Sequence, residues 1–269
     1  MDAREKLQKV LDENKHICIG LDTDENKIPD YLKGEKNALQ LFNKIIIENT
    51  YEQVAAYKLN FAFYERMGTK GFEILEETLS YIPSKILTIG DAKRGDIGNT
   101  CEMYADAIFN KLNFDSVTLN PYMGYDSVEP FLKFKDKINF ILVLTSNKSS
   151  NDFEKLKLEN GKYLFQQVLN SVNNWNVHNN CGIVFGATNL EELKNNCDNF
   201  NNLFVLLPGV GAQGGSLEEV TRLFKLNKNN NYLVNISRAL IYCENSTKFP
   251  KIISETLKNY NKIAMETSR

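Results

Sequence analysis

Eight short apolar runs alternate with helical stretches along a chain of 269 residues, and polar side chains gather where each run ends. These observations predict an α/β fold: a (β/α)8 (TIM) barrel, one domain over residues 1–269, with an N-terminal helix closing its bottom. The runs are continuously apolar rather than alternating, as strands buried on both faces should be. No Pro/Gly/Ser-rich linker divides the chain.

The chain opens on a charged amphipathic stretch, MDAREKLQKVLDENK, that reads as a helix. A strand from His16 to Leu21 follows, then a helix from about Asn37 to Glu52 and a strand from Val54 to Leu59 that ends in Lys58 and Asn60. Next come a helix over Gly71–Tyr81, a strand beginning at Ile86–Ile89, a helix over Cys101–Leu112 and a strand Ser116–Leu119 running into Asn120-Pro121. Phe140–Leu144 ends in Thr145 and Ser146, and Gly182–Phe185 ends in Gly186. Phe204–Leu207 ends in Pro208 and glycines, and Tyr232–Ile236 ends in Ser237 and Arg238, before a last helix over Phe249–Ile263. One long excursion, 147–180, carries a helix around Tyr163–Val172.

Composition excludes several classes. A net charge of −2 gives no global attraction to nucleic acid or anionic membrane, so an anionic ligand must be met by a local site. Five scattered cysteines without C-x-x-C spacing argue against a disulfide framework or zinc site and fit a reducing cytoplasm. No apolar run approaches a membrane span, and the N-terminus lacks a signal sequence's apolar core.

In such a barrel the site lies at the C-terminal strand ends, which here carry Asp22, Lys58, Asn60, Asp91, Lys93, Asn120, Thr145, Ser146, Gln213 and Arg238. The densest stretch is Ile86–Thr100, ILTIGDAKRGDIGNT. If its strand persists through Lys93, Asp91 and Lys93 share a face and Arg94 points away. By itself that pair reads equally as a solvated salt bridge. His16 begins the first strand, at the bottom, and His178 lies in the excursion, so Lys58 and Lys93 are the candidate proton donors. After the seventh strand, Pro208-Gly209-Val210-Gly211-Ala212-Gln213-Gly214-Gly215 formally contains G-x-G-x-x-G. A dinucleotide site would need an acidic residue at the next strand end, where Ser237 and Arg238 stand instead. Backbone N–H groups freed by glycine, with Gln213 and Arg238, make a phosphate site there the stronger reading.

Asp91 to Thr100 resembles the D-x-K-x-x-D-I-x-x-T signature of the orotidine 5'-phosphate decarboxylase family, in its longer bacterial and protozoan-like branch. Gly20-Leu21-Asp22, Lys58-Leu59-Asn60, Asn120-Pro121, Thr145-Ser146, the loop from Pro208 to Gly215, and Ser237-Arg238 follow in the family's order. The resemblance implies a cytoplasmic, cofactor-free and metal-free homodimer that converts orotidine monophosphate to uridine monophosphate in pyrimidine synthesis. It implies a charge network of Lys58, Asp91, Lys93 and Asp96, with Asp96, Ile97 and Thr100 reaching into the partner's site. Asp22, Lys58 and Asn60 would hold the ribose, Thr145 and Ser146 the pyrimidine, and Gln213 and Arg238, beside Pro208, the phosphate. One departure is Ser237, where many members place glycine.

Other readings remain open. A Schiff-base aldolase or another phosphosugar enzyme would use the same barrel, but an aldolase needs a neutral lysine, which flanking aspartates oppose. A non-catalytic nucleotide-phosphate binder would need the glycine loop and Arg238 but not the lysine–aspartate set. Asp22-x-Asp24 could suggest a metal pair, though no histidine or further carboxylate joins it.

Overall fold

The computed structural model describes residues 1–200, 202–211 and 214–266. Eight parallel strands pair in chain order: β1 (Ile17–Gly20), β2 (Ala56–Asn60), β3 (Leu87–Arg94), β4 (Ser116–Leu119), β5 (Ile138–Leu144), β6 (Cys181–Phe185), β7 (Phe204–Leu207) and β8 (Tyr232–Ile236). The last pairs back onto the first, so the barrel is closed and has no sheet edge. Around it run α1 (Ala3–Asp12), α2 (Ala38–Thr50), α3 (Phe61–Glu65), α4 (Thr69–Tyr81), α5 (Gly98–Asp106), α6 (Glu129–Leu132), α7 (Leu164–Trp175), α8 (Leu190–Asn196), α9 (Leu217–Leu226), α10 (Arg238–Ile241) and α11 (Phe249–Glu266).

Successive strand residues serve two cores. Ile17, Ile19, Tyr57, Leu59, Val117, Ile183, Val234 and Ile236 pack outward with the helices. Cys18, Ala56, Leu87, Ile89, Phe140, Val184, Phe204, Leu206 and Leu233 fill the barrel interior, and Ala3, Leu7, Val10 and Leu11 of α1 belong to that same cluster. The helix therefore closes the lower mouth. An Asp2–Glu5 capping box starts α1, and Lys6 bonds Asp115 at 2.7 Å. Asp115 also accepts from the Thr88 N–H at 3.0 Å, tying the helix to β3.

His16 sits at this closed end, buried and stacked on Tyr232 with ring centroids 4.0 Å apart. Burial holds its pKa below the usual histidine range, outweighing the hydrogen bond to the Tyr232 carbonyl, which favours the charged ring. The unfolded chain takes up a proton below about pH 6.5 while the folded chain does not, so stability falls as the pH drops through that window. His16→Phe, which keeps the stack, is expected to flatten this part of a urea-midpoint-versus-pH curve. An unchanged slope would refute the assignment.

Several element boundaries differ from the sequence expectation, and three segments differ in form. β3 runs on to Arg94, because the segment that carries the charges still pairs with β4 through a bulge between Gly90 and Arg94. The helix expected over Cys101–Leu112 is α-helical only to Asp106 and then widens into a π-turn, Ala107–Lys111, which buries both Ile108 and Phe109. The excursion folds into a 3-10 turn, Lys148–Asp152, an antiparallel bridge between Lys157 and Tyr163, and α7.

Candidate active site

Alternation along each strand decides which polar side chains enter the upper mouth. On β2, Lys58 points into the barrel beside Asp91 of β3; its ammonium lies 2.9 Å from Asp91 Oδ2 and 3.3 Å from Asp22 Oδ1. Lys93 Nζ meets the other Asp91 oxygen at 2.6 Å, and the Thr118 hydroxyl of β4 donates to it at 2.9 Å. One buried carboxylate thus accepts from two ammonium groups and a hydroxyl. Arg94 points outward to Glu65 and lies over the Phe61 and Tyr104 rings.

Lys93 reaches this position at a cost. Its φ of +48° is left-handed, a region that disfavours a side chain by roughly 1–2 kcal/mol. The bulge imposes it. Lys93 N–H donates to the Thr118 hydroxyl at 3.0 Å and Asn120 N–H to the Arg94 carbonyl at 2.8 Å, so the chain is held on both sides of the turn.

The electrostatics are lopsided. Burial alone would push the Asp91 pKa up, but Lys58 and Lys93 outweigh it and hold the carboxyl well below the usual range. Burial would likewise lower Lys58, yet Asp22 and Asp91 raise it well above an ordinary lysine. Lys58 is enclosed; the Lys93 side chain is 49% exposed and faces the opening.

These groups line one cavity of about 300 Å³ at the strand C-termini. Asp22, Lys58, Asn60, Asp91, Lys93, Thr145, Ser146, Pro208 and Arg238 all border it. Asn60 also caps α3, accepting from the Ala62 N–H at 3.2 Å. Arg238 begins α10, exposed and without an ion pair among the described residues. Gln213 lies outside the described residues. Asp96, Ile97 and Thr100 do not border this cavity; Ile97 is 58% exposed, and the Asp96 carboxylate accepts from the Ile97 N–H. Asp22 and Asp24 serve separate partners, Lys58 for one and Asn26 with Arg66 for the other.

The glycine loop differs in detail from the expectation. Gly209, Gly211 and Gly214 adopt positive φ, as the turn requires, but the N–H groups of Gly211, Gly214 and Gly215 donate within the loop. They are not free for an anion. Ser237 has a φ of −116°, which needs no glycine, and its Cβ would lie 2.8 Å from any Cβ at Gly20. The side chain is thus accommodated by glycine on the neighbouring strand.

Residues 15–248 match the model of the family described as "Orotidine 5'-phosphate decarboxylase / HUMPS family". The chain belongs to this family. It is 46% identical over 255 residues to the orotidine 5'-phosphate decarboxylase of Christiangramia forsetii, covering 94% of this chain and 93% of that one. The Flavobacterium johnsoniae protein of the same name is 44% identical over 268 residues, 98% of this chain and 97% of its own. Among solved structures, the Leishmania donovani OMP decarboxylase superposes with a TM-score of 0.82 at 33% identity, covering 98% of this chain and 99% of that one. The chain spans 57% of the L. donovani UMP synthase, with a TM-score of 0.84 and 34% identity.

In this orotidine 5'-phosphate decarboxylase family member, sequence reading missed Thr118 and Asn235, which also line the cavity. Both sit inside strands, two residues before the strand-end polar residues Asn120 and Ser237. The period of two that links Lys58 to Asn60 and Asp91 to Lys93 is the signal that identifies them. Leu142, Val184, Leu206, Val210 and Ala239 add apolar side chains to the lining.

Proposed function

We propose that this protein catalyses decarboxylation of orotidine 5'-phosphate to uridine 5'-phosphate, a step of pyrimidine biosynthesis, in the cytoplasm as a homodimer. The observation that carries this reading is the Asp91 carboxylate set between Lys58 and Lys93 in a cavity that Arg238 also lines. Loss of carbon dioxide leaves an electron pair on ring carbon C6, which has no neighbouring carbonyl to receive it. The site must therefore hold positive charge where that pair develops and deliver a proton there. Lys93 does both: the C6–carboxylate bond breaks, its electrons stay on C6, and a Lys93 N–H proton moves to C6, giving uridine 5'-phosphate and carbon dioxide. The half-exposed side chain then recovers a proton from solvent.

Asp91 faces the departing carboxylate and orients Lys93, while Lys58 keeps Asp91 ionised. Asp22, Lys58 and Asn60 take the ribose, Thr145 and Ser146 the base, and Arg238 and Gln213, beside Pro208, the phosphate. Binding of the remote phosphate serves the reacting centre by fixing the ring against Lys93. The aldolase reading is disfavoured because Lys58 is held charged by two carboxylates.

Asp96, Ile97 and Thr100 are assigned to the partner's site. Supporting this, Ile97, Met103, Tyr122, Met123 and Phe153, on segments following β3, β4 and β5, are large apolar side chains left exposed on one chain. Mixing inactive Lys93→Ala and Asp96→Ala proteins under subunit exchange is expected to restore up to roughly a quarter of wild-type activity, since one hybrid site in two is intact. No recovery despite hybrid formation would place Asp96 in its own subunit's site. The function itself is tested by complementation: a uracil auxotroph lacking the decarboxylase should grow without uracil when supplied with this gene, and should not when supplied with Lys93→Ala. Failure of the wild-type gene, with the protein present and folded, would contradict the proposal.

A further inference from the structure

We infer that Glu154 is a positioning residue for base recognition, through which the long connection after β5 fixes the turn that carries Ser146. The inference rests on the decarboxylase reading. Glu154 lies in the excursion, nine residues beyond Thr145, and its carboxylate turns back onto the strand end. Oε2 accepts the Thr145 N–H at 2.7 Å, and Oε1 lies 2.8 Å from the Thr145 hydroxyl. On the other side, the Asn189 side-chain amide donates to the Thr145 carbonyl at 2.9 Å. The residue before Ser146 is thus held at its N–H, its carbonyl and its hydroxyl.

The clamp is itself anchored. The Phe165 N–H of α7 donates to the Glu154 carbonyl at 2.9 Å, and the adjacent Lys155 pairs with Glu192 of α8 at 2.5 Å. A carboxylate accepting a backbone N–H is a charge-assisted bond, shorter and stronger than a neutral one. This arrangement also bears on Thr145. Its single hydroxyl proton is contested by Glu154 and by Asn147 Oδ1 at 2.6 Å, so its part in base recognition is to place Ser146 rather than to donate to the ring. The excursion, whose Asn147 also lines the cavity, thereby acquires a role at the site.

A clamp that places the base-reading turn should affect ligands that carry a pyrimidine and spare those that do not. The test is calorimetric titration of wild type, Glu154→Ala and Glu154→Gln with uridine 5'-phosphate and, separately, with ribose 5-phosphate, after orotidine 5'-phosphate turnover by wild type has been scored. For Glu154→Ala, affinity for uridine 5'-phosphate is expected to fall about ten- to hundred-fold, the scale of one or two lost polar contacts, while ribose 5-phosphate changes less than about two-fold. Glu154→Gln, which keeps one acceptor, should fall between, and it carries the test if the alanine variant does not fold. Equal weakening toward both ligands would make Glu154 merely structural, and no weakening toward either would make it irrelevant; each overturns the inference while leaving a wild type that turns over substrate as a decarboxylase. A wild type without turnover removes the decarboxylase reading, and the inference with it.

Discussion

Lys93→Ala is expected to lower kcat for orotidine 5'-phosphate by about ten-thousand-fold or more, because on the proposed mechanism it removes the positioned proton donor and the cation facing the developing carbanion together. Lys93 sits 2.6 Å from Asp91 on a backbone bent into the left-handed region, and the other lysine among the described lining residues cannot take its place: Lys58 is enclosed and already bonded to two carboxylates. The phosphate and ribose groups are untouched, so affinity for uridine 5'-phosphate should survive largely intact. Single-turnover reactions with enzyme in excess, followed by chromatography of the nucleotide, separate the two effects. A loss smaller than about ten-fold would show that Lys93 is not the proton donor.

Asp91→Asn is expected to damage stability as well as catalysis. It leaves the Lys58 ammonium buried with Asp22 alone, at 3.3 Å, and breaking a buried ion pair of this kind costs about 3–5 kcal/mol. The sign of the pH dependence follows from the shift. Asp91 has its folded pKa depressed, so its contribution is complete above the ordinary carboxylate range and is lost as pH falls toward the folded value. Lys58 has its folded pKa raised, so its share persists below the ordinary lysine range and is lost only at strongly alkaline pH. The gap in urea stability between wild type and Asp91→Asn should therefore be steady from roughly pH 5 to 9 and narrow below about pH 4. A gap that widens on acidification would mean that Asp91 is not held ionised.

Much of this architecture is legible in the chain because strands buried on both faces must be apolar runs, and such runs recur eight times. Their ends are harder to fix, since a continuous apolar run carries no register. β1 proved shorter than His16–Leu21, and β3 longer than Ile86–Ile89. Asp91, Lys93 and Lys58 stood out as charges following apolar strands, and Arg238 as a cation at the last strand end. Thr118 and Asn235 are less legible because they lie within apolar strands rather than beyond their ends, on the inner face that lines the cavity. Glu154 was hidden for another reason: it meets Thr145 across an irregular connection that no periodicity describes. Asp96 and Thr100 illustrate a third limit: if the proposed site is shared between copies, its outgoing members lie on the surface of each chain and border no cavity of their own.

The most direct test is the ultraviolet absorbance of orotidine 5'-phosphate mixed with purified, chelator-treated protein. The orotate band should disappear and be replaced by that of uridine 5'-phosphate, at a rate indifferent to the chelator. A band that persists in the presence of folded wild-type protein would contradict the decarboxylase account.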